Sequence, residues 1–361
     1  MRSFGSAQAP APSSPIELAL RQGFCTLKHF GARQVRSRSE PICKTIEMSS
    51  PEIISLPYFA TAVLMPSSTN LWMCFAGLIY LLAGVLILRK EIREARGGWE
   101  KLITLGCVFI AVPLAVFAPE HFRGPEFVQD SVPSWMPARS FWPYFVGGAL
   151  LAAATSLTVR KFVRLSATLL GLMFFLFVCM IYMPYALAHP QDRFGWTYAL
   201  RDLSFAGGAS ALAGLHSRSS APQTSKWLIL VGRIIVAVAA IFFGIEHFLH
   251  PHFAPGVPLE KMMPSWVPFP TVWAYVAGSI LLASGIGLAM NRKARIAAAS
   301  IGALMFFLTL FLYLLGLILA HGGSTAEINE ALNYVADTLL FAGSALVLAA
   351  ALPRERDVAS T

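Results

Sequence analysis

One pattern of residues occurs twice in this sequence. The first copy runs from Glu120-His121-Phe122 to Pro133-Ser134-Trp135-Met136-Pro137, and the second from Glu246-His247-Phe248 to Pro264-Ser265-Trp266-Val267-Pro268. Each copy follows an apolar run that is long enough to cross a bilayer as a helix, and each precedes three more such runs. The sequence therefore predicts a duplicated membrane domain that carries a duplicated polar site.

The composition indicates a membrane protein. Of the 361 residues, 56% are hydrophobic and only 13% are charged, whereas soluble domains carry about 25% charged residues. The apolar residues fall in blocks of roughly 18–24, the length that crosses ~30 Å of hydrocarbon as a helix. We therefore expect an all-α polytopic membrane protein whose partner is the lipid bilayer. The net charge of +9 then reflects basic loops and predicts no nucleic-acid partner.

Nine apolar runs predict about nine transmembrane helices. In chain order, helices 1 to 9 are predicted at Leu71–Leu88, Leu102–Ala118, Phe141–Val159, Leu165–Leu187, Trp196–Leu215, Trp227–Phe248, Val272–Met290, Ile296–Ala320 and Leu332–Leu352. Helices 2–5 match helices 6–9, which predicts two tandem four-helix bundles plus one extra N-terminal helix. The predicted divisions are 68–100 for the extra helix and its basic loop, 101–218 for the first repeat and 219–361 for the second.

Residues 1–67 are expected to lie outside the membrane domain. Up to Met48 the stretch is polar, rich in Arg and Ser, and has no signal-type apolar core. This composition favours a disordered segment. Two alternatives stay open: a native start at Met48, and a transit peptide.

Basic residues concentrate on alternate loops. Five lie between helices 1 and 2, three between helices 3 and 4, and three between helices 7 and 8. The positive-inside rule places these loops in the cytoplasm, with the N-terminus outside and the C-terminus inside a bacterial plasma (inner) membrane. Because each repeat has an even number of helices, both repeats have the same orientation, and an axis along the membrane normal should relate them.

This topology predicts a polar group at the outer end of each bundle. The first group is Glu120, His121, His189 and Asp202, and the second is Glu246, His247, His321 and Asp337. Ionisable side chains inside a membrane are costly, so they are functional candidates by default. A carboxylate beside a histidine could bind a head group or move protons near neutral pH.

A structural interpretation of the same residues stays open. Polar groups at helix ends can cap the backbone, and the pairs Ser134-Trp135 and Ser265-Trp266 would then form a lid on the membrane interface, with Trp as its anchor. No G-x-S-x-G elbow surrounds either serine, which disfavours a nucleophile. Histidines and acids at this spacing do not form a compact metal motif, so no metal site is assigned. None of the five cysteines forms a C-x-x-C pair.

Three strings resemble the DoxX family of the DoxD-like superfamily. They are the Glu-His-Phe helix end, the Pro-Ser-Trp-x-Pro loop and the Phe-Ala-Gly of the last helix, the latter at Phe205-Ala206-Gly207 and Phe341-Ala342-Gly343. The resemblance spans about residues 101–352 and implies four-helix membrane units, here in tandem. Some relatives belong to thiosulfate:quinone oxidoreductase or other membrane oxidoreductase assemblies, which implies a partner subunit of that kind and a quinone as the candidate ligand. No catalytic residue set carries over.

The leading hypothesis is therefore a subunit or accessory of a quinone-linked membrane oxidoreductase that binds a small apolar ligand near the outer leaflet. The sequence has no nucleotide, haem or iron–sulfur motif, so electrons would come from a partner, and whether the chain is itself an enzyme stays open. One alternative is a small-molecule or lipid transporter, because tandem parallel repeats are a transporter architecture. Another is a non-catalytic membrane scaffold.

Overall fold

A computed structural model describes residues 69–354. The predictions for residues 1–67 lie outside the described residues. The described chain contains nine long helices: α1 Thr69–Ile87, α2 Gly106–Arg123, α3 Phe141–Val159, α4 Val163–Ala188, α5 Arg193–Leu215, α6 Pro222–Leu249, α7 Pro270–Ala289, α8 Ala294–Leu319 and α9 Thr325–Ala351. Short helices at Arg89–Glu94, Gly98–Thr104 and Pro125–Gln129 lie in the connections. The expected all-α polytopic fold is confirmed.

Eight of these nine helices are long and apolar enough to cross a membrane. The exception within residues 69–354 is α5, which is 23 residues long but carries Arg193, Arg201 and Asp202. It packs between α4, α6 and α9, so protein surrounds its polar side chains. A helix of this kind can lie at membrane depth because its charges face the bundle interior.

The two predicted four-helix repeats, here called the first unit (α2–α5) and the second unit (α6–α9), pack into each other rather than side by side. The last helix of the first unit, α5, packs against α6, the first helix of the second unit. Likewise α9 packs against α2, and α5 and α9 cross each other. A side chain at Gly207 would collide with Ile235 of α6, and one at Gly343 with Phe109 and Ile110 of α2. The Phe-Ala-Gly strings thus mark the places where each unit meets the other at close range.

The turns at the basic end have the same backbone geometry in both units. Between α3 and α4, Arg160 and Phe162 have positive φ angles, and between α7 and α8 Asn291 and Lys293 do. Both α4 and α8 also contain a π-helical turn, at Val178–Tyr182 and Thr309–Leu314. These matched irregularities support the predicted repeat, and the division into two copied domains stays a proposal.

One acidic residue ties the units together at the basic end. Glu100 accepts hydrogen bonds from Arg295 at 3.0 Å and from Arg354 at 3.2 Å. Burial alone would raise the pKa of the Glu100 carboxyl, but the hydrogen bonds and charges of Arg295 and Arg354 outweigh it and hold this pKa below its usual value. The contact joins the start of the first unit to α8 and to the end of α9.

The extra helix α1 lies on the outside of the first unit. It packs mainly on α2 and more lightly on α3 and α9, and Asn70 donates a hydrogen bond to the carbonyl of Thr325 at 2.9 Å. Its other face exposes Ile79, Leu82 and Leu86, as expected for contact with lipid. Helix α1 therefore adds to the first unit without closing the second.

Candidate polar sites at the histidine end

The histidine end is the end of the bundle where α2 and α6 terminate with Glu120-His121 and Glu246-His247. We call the surroundings of Glu246 and His247 the second mouth, and those of Glu120 and His121 the first mouth. The two mouths start from the same residues, so their contacts can be compared pair by pair.

At the second mouth the acid is paired with a cation. Arg193, at the start of α5, donates from Nη1 to Glu246 Oε2 at 3.1 Å and to the carbonyl of Leu259 at 2.9 Å. The two charged side chains are 18% and 10% exposed. His250 lies beside the same carboxylate, with Nε2 at 3.9 Å from Oε2. Glu246 thus has its counter-charge from within the protein.

The histidine of the second mouth uses both ring nitrogens. His247 is fully buried, and its Nδ1 lies 2.6 Å from the carbonyl oxygen of Phe243. A carbonyl only accepts, so Nδ1 carries the proton. The other nitrogen, Nε2, then accepts from the backbone N–H of Gly256 at 3.2 Å. His247 is therefore a neutral imidazole in one tautomer, and it holds the loop that follows α6.

That loop enters the bundle. Residues 254–259, here called the buried loop segment, are buried, and Val257 and Leu259 are fully inaccessible. Tyr313 of α8 donates to the carbonyl of Pro255 at 3.1 Å. The middle of the loop that was predicted to be an interfacial lid is thus inserted into the bundle. Ser265 and Trp266, near the end of this loop, remain exposed.

At the first mouth the acid meets amides in place of a cation. Glu120 Oε1 accepts from Nδ2 of Asn329 at 2.8 Å and of Asn333 at 3.4 Å, both on α9. The amide oxygens of both asparagines are buried, and within residues 69–354 they have no hydrogen-bond partner. No described residue forms an ion pair with Glu120.

The histidine of the first mouth uses only one ring nitrogen. His121 Nδ1 donates to the carbonyl of Phe117 at 3.0 Å, as its counterpart does to Phe243. The loop after α2 does not reach Nε2, which has no partner among the described residues. Instead this loop is held to itself, because Arg139 donates to the carbonyls of Gln129 and Val132 at 3.0 and 3.1 Å.

One pair of matching positions in α5 and α9 explains why the Glu of the second mouth has a cation beside it and the Glu of the first mouth has an amide. Counted back from the Phe of each Phe-Ala-Gly string, Arg193 and Asn329 occupy the same position. Each contacts the Glu at the end of the other unit's first helix. The two mouths therefore share one framework, in which Arg occupies the position in the second and Asn in the first.

A third polar group lies where α5 and α9 cross. Arg201 donates from Nε to Asp202 at 2.8 Å and from Nη1 to Asp337 of α9 at 3.0 Å. A weaker bond of 3.4 Å joins Nη2 to the hydroxyl of Tyr182. The grouping expected from sequence, with one Asp in each mouth, is therefore not the one in the structure. Both aspartates belong to one central cluster shared by the two units.

Tyrosines connect this central cluster to the second loop. Tyr198 of α5 donates to Glu260 Oε2 at 2.5 Å, and Tyr334 of α9 at 3.4 Å. Both tyrosines lie seven residues before the Phe of their Phe-Ala-Gly string. Sequence reasoning missed these tyrosines, as well as Arg193 and Glu260. The matched Tyr positions were the available signal, whereas nothing in the sequence indicates that Glu260 lies between them.

Of the remaining predicted residues, His189, Ser134 and Trp135 lie at the surface. His189 is exposed and donates from Nδ1 to the carbonyl of Tyr185 at 3.2 Å. His321 is in the short turn Ala320–Gly322, and its side chain lies outside the described part. Ser134 and Trp135 are exposed, the latter at 70%. This placement suits the predicted interface anchors.

The repeated Pro-Ser-Trp-x-Pro string forms the same local structure twice. The last Pro of each string accepts a hydrogen bond from a tryptophan five residues later, Trp142 Nε1 to Pro137 at 2.9 Å and Trp273 Nε1 to Pro268 at 3.1 Å. The string thus docks each loop on the start of the next helix.

Two further features of the described residues concern metal binding and apolar ligands. Among residues 69–354, no three His, Cys, Asp or Glu side chains lie close enough to share a metal ion. An apolar groove of about 390 Å³ lies between α7 and α8, lined in part by Trp273, Val276, Ala277 and Phe307. In the first unit, the positions of Val276 and Ala277 hold the larger Phe145 and Val146.

Comparison with known proteins gives one family. The DoxX family model matches residues 228–314, which include most of α6 with Glu246 and His247, the second loop, α7 and most of α8. No curated protein and no solved structure matches this chain significantly. The matched segment lies within the second predicted repeat and contains its Glu-His-Phe and Pro-Ser-Trp-x-Pro strings. The chain is therefore a polytopic α-helical membrane protein that carries a DoxX domain.

Proposed function

We propose that the first mouth binds the polar head of a small apolar molecule of the quinone or isoprenoid type. In this proposal the protein serves a membrane oxidoreductase as a subunit or accessory, in the plasma membrane with its histidine end outside. The observation that carries it is a set of acceptors that no described residue donates to: Nε2 of His121 and the buried amide oxygens of Asn329 and Asn333. At the second mouth, Nε2 of the matching His247 accepts from the N–H of Gly256, and the donor Arg193 occupies the position of Asn329.

The second mouth indicates which chemistry fits the first. There, the acid receives a guanidinium N–H from Arg193 and the histidine receives a backbone N–H from Gly256. Both are hydrogen-bond donors. A ligand of the first mouth would supply the same kind of group to the buried amide oxygens of Asn329 and Asn333, since a buried acceptor without a donor costs about 1–3 kcal/mol, and to Nε2 of His121.

This requirement selects the reduced form of a quinone. A quinol hydroxyl donates a hydrogen bond, whereas a quinone carbonyl only accepts one. A neutral His121 with a free Nε2 could also accept the proton that such a hydroxyl loses. The isoprenoid tail would lie along the exposed apolar side chains near this mouth, such as Phe122 and Tyr144. Electrons would pass to a partner subunit.

The test is to measure the small molecules that co-purify with the protein. The protein would be purified in mild detergent, extracted with organic solvent, and assayed for quinone and quinol by mass spectrometry. The informative variant is Asn329→Arg, which gives the first mouth the arginine of the second. We expect it to lose the bound molecule while keeping the thermal unfolding temperature of the wild type.

A matched control distinguishes binding at the first mouth from binding in the apolar groove between α7 and α8. Val276→Phe combined with Ala277→Val fills the groove between α7 and α8 with the residues of the first unit, and it should leave the bound molecule in place. A wild-type protein without quinone or quinol, or equal content in Asn329→Arg, would contradict the proposal. Loss of the bound molecule from the groove variant but not from Asn329→Arg would mean that the molecule binds in the groove.

A transporter is the second candidate, and the central cluster favours it. Charged groups at the interface of two parallel repeats are typical of transporter binding sites, and Arg201, Asp202 and Asp337 lie at such an interface. Substrate-dependent uptake into proteoliposomes, abolished by Arg201→Gln, would support transport. Absence of uptake together with quinol binding would favour the first function.

A further inference from the structure

The central cluster contains more buried acids than bases. Asp202 and Asp337 share the single guanidinium of Arg201. The three side chains are only 5%, 12% and 13% exposed, respectively. If both aspartates were ionised, this buried group would carry a net negative charge.

Within residues 69–354, the surroundings do not supply a second cation. The groups that face the cluster are Tyr182 of α4, Tyr198 of α5, Tyr313 of α8, Tyr334 of α9, Glu120 of α2, and Glu260 and Lys261 of the second loop. The tyrosines are neutral, and Glu120 and Glu260 add negative charge. Lys261 lies over the ring of Tyr334 at 5.1 Å and within 4.0 Å of Glu330. Its positive charge is therefore already paired with the Glu330 carboxylate.

A buried carboxylate without a counter-charge is costly. Its desolvation costs several kcal/mol, and inside a protein it is usually relieved by neutralising the group. In a membrane helix the same argument applies more strongly, since bulk water is further away. We propose that Asp202 and Asp337 form a proton-binding site that holds one shared proton at neutral pH, with Arg201 balancing the remaining negative charge.

The second loop places a half-buried carboxylate, that of Glu260, near this site. Tyr182 accepts a hydrogen bond from Arg201, and its ring stacks on that of Tyr198 at 6.1 Å between ring centres. Tyr198 in turn donates to Glu260, which is half-buried. This inference is independent of the proposed ligand at the first mouth.

Infrared spectroscopy tests the proposal directly. A protonated carboxylic acid has a C=O stretching band that ionised carboxylates lack, and the band shifts when H₂O is replaced by D₂O. The wild-type protein in liposomes at neutral pH should show this band. Asp337→Asn and Asp202→Asn should each abolish it, because one carboxylate and one guanidinium then balance. Arg201→Gln should increase it about twofold, since both acids would then be neutral.

Glu260→Gln serves as the matched control, because it removes a nearby acid and should leave the band unchanged. Thermal unfolding of each variant shows that the comparison is made on folded protein. A wild-type spectrum without the band would overturn the proposal, since both aspartates would then be ionised. A band that persists in both aspartate variants would also overturn it, because the proton would then belong to another acid.

Discussion

Glu246 and Glu120 end equivalent helices, yet their surroundings differ in charge and in access. Arg193 pairs with Glu246, and the adjacent His247 is enclosed by a loop that donates to its Nε2. Glu120 meets only the amides of Asn329 and Asn333, and Nε2 of His121 has no partner within residues 69–354. The comparison shows that a repeated string does not make a repeated site, because the residues that complete each mouth come from elsewhere.

Two features of the sequence produce the difference. The Arg-to-Asn change between Arg193 and Asn329 removes the counter-charge of the acid. The stretch between the Glu-His-Phe and Pro-Ser-Trp-x-Pro strings is also longer in the second copy. The extra residues allow this loop to turn back into the bundle and bury residues 254–259, whereas the first loop remains at the surface.

The largest expected effect is at the ion pair of the second mouth. Arg193→Met leaves Glu246 buried without its cation and leaves the carbonyl of Leu259 without a donor, which should lower the free energy of unfolding by about 3–5 kcal/mol. The counterpart, Asn329→Ala, removes a single hydrogen bond to Glu120 and should cost about 1 kcal/mol. Thermal unfolding in mild detergent measures both. Equal losses would mean that the two mouths are energetically alike.

The next largest difference in stability is expected between substitutions of the two histidines. His247→Ala removes a buried ring that satisfies the N–H of Gly256, so we expect a loss of about 2–4 kcal/mol from the unpaired donor and the cavity together. His121→Ala should cost less than about 1 kcal/mol, because its ring binds only its own helix. The same unfolding assay applies. The account assigns a structural role to His247 but not to His121. Equal losses of stability in His121→Ala and His247→Ala would contradict this assignment.

The attachment of the second loop can be tested at the two matched tyrosines. Tyr198→Phe removes a 2.5 Å hydrogen bond to the carboxylate of Glu260 and should cost about 1.5–3 kcal/mol, as for hydrogen bonds to charged groups. Tyr334→Phe removes one of 3.4 Å and should cost under about 1 kcal/mol. Limited proteolysis of the loop should follow the same order. The reverse order would show that the loop is held mainly by α9.

The smallest effect should come from Glu100, which is far from both mouths. Its folded-state pKa lies below the usual value, so it stabilises the fold at pH above the unfolded pKa of about 4.3 and loses that contribution as the pH falls through the folded pKa. Glu100→Gln should therefore reduce stability at neutral pH by less than about 1 kcal/mol, and the difference from wild type should disappear in acid. A difference that grows in acid would contradict the sign.

Hydrophobicity predicted the helices well where helix and apolar run coincide. The bounds of α3 were predicted as Phe141–Val159 and are the same in the structure. Helix α9 begins at Thr325, seven residues before the predicted Leu332, because Ser324 and Glu327 form a capping box that starts a polar first turn. An apolar run does not reveal such a start.

The site was predictable only in part. The sequence predicts Glu120, His121, Glu246 and His247 at one end because topology alone places them there. It does not predict that α5 and α9 each pack against the first helix of the other unit and against one another, which brings Arg193 to Glu246 and Asp202 to Asp337. Contacts of this kind depend on which face each helix presents to its neighbours, and hydrophobicity does not fix that face when a helix is buried all round.

The most direct test of the comparison is the reactivity of the two histidines. Carbethoxylation of the detergent-purified protein, after bound small molecules have been washed out, can be measured peptide by peptide with mass spectrometry. The free Nε2 predicts that His121 reacts at a rate close to that of the exposed His252. His247 should react at least about tenfold more slowly until the protein is unfolded, because its burial requires local opening. Equal reaction rates for His121 and His247 in the folded protein would contradict an open first mouth and a closed second one.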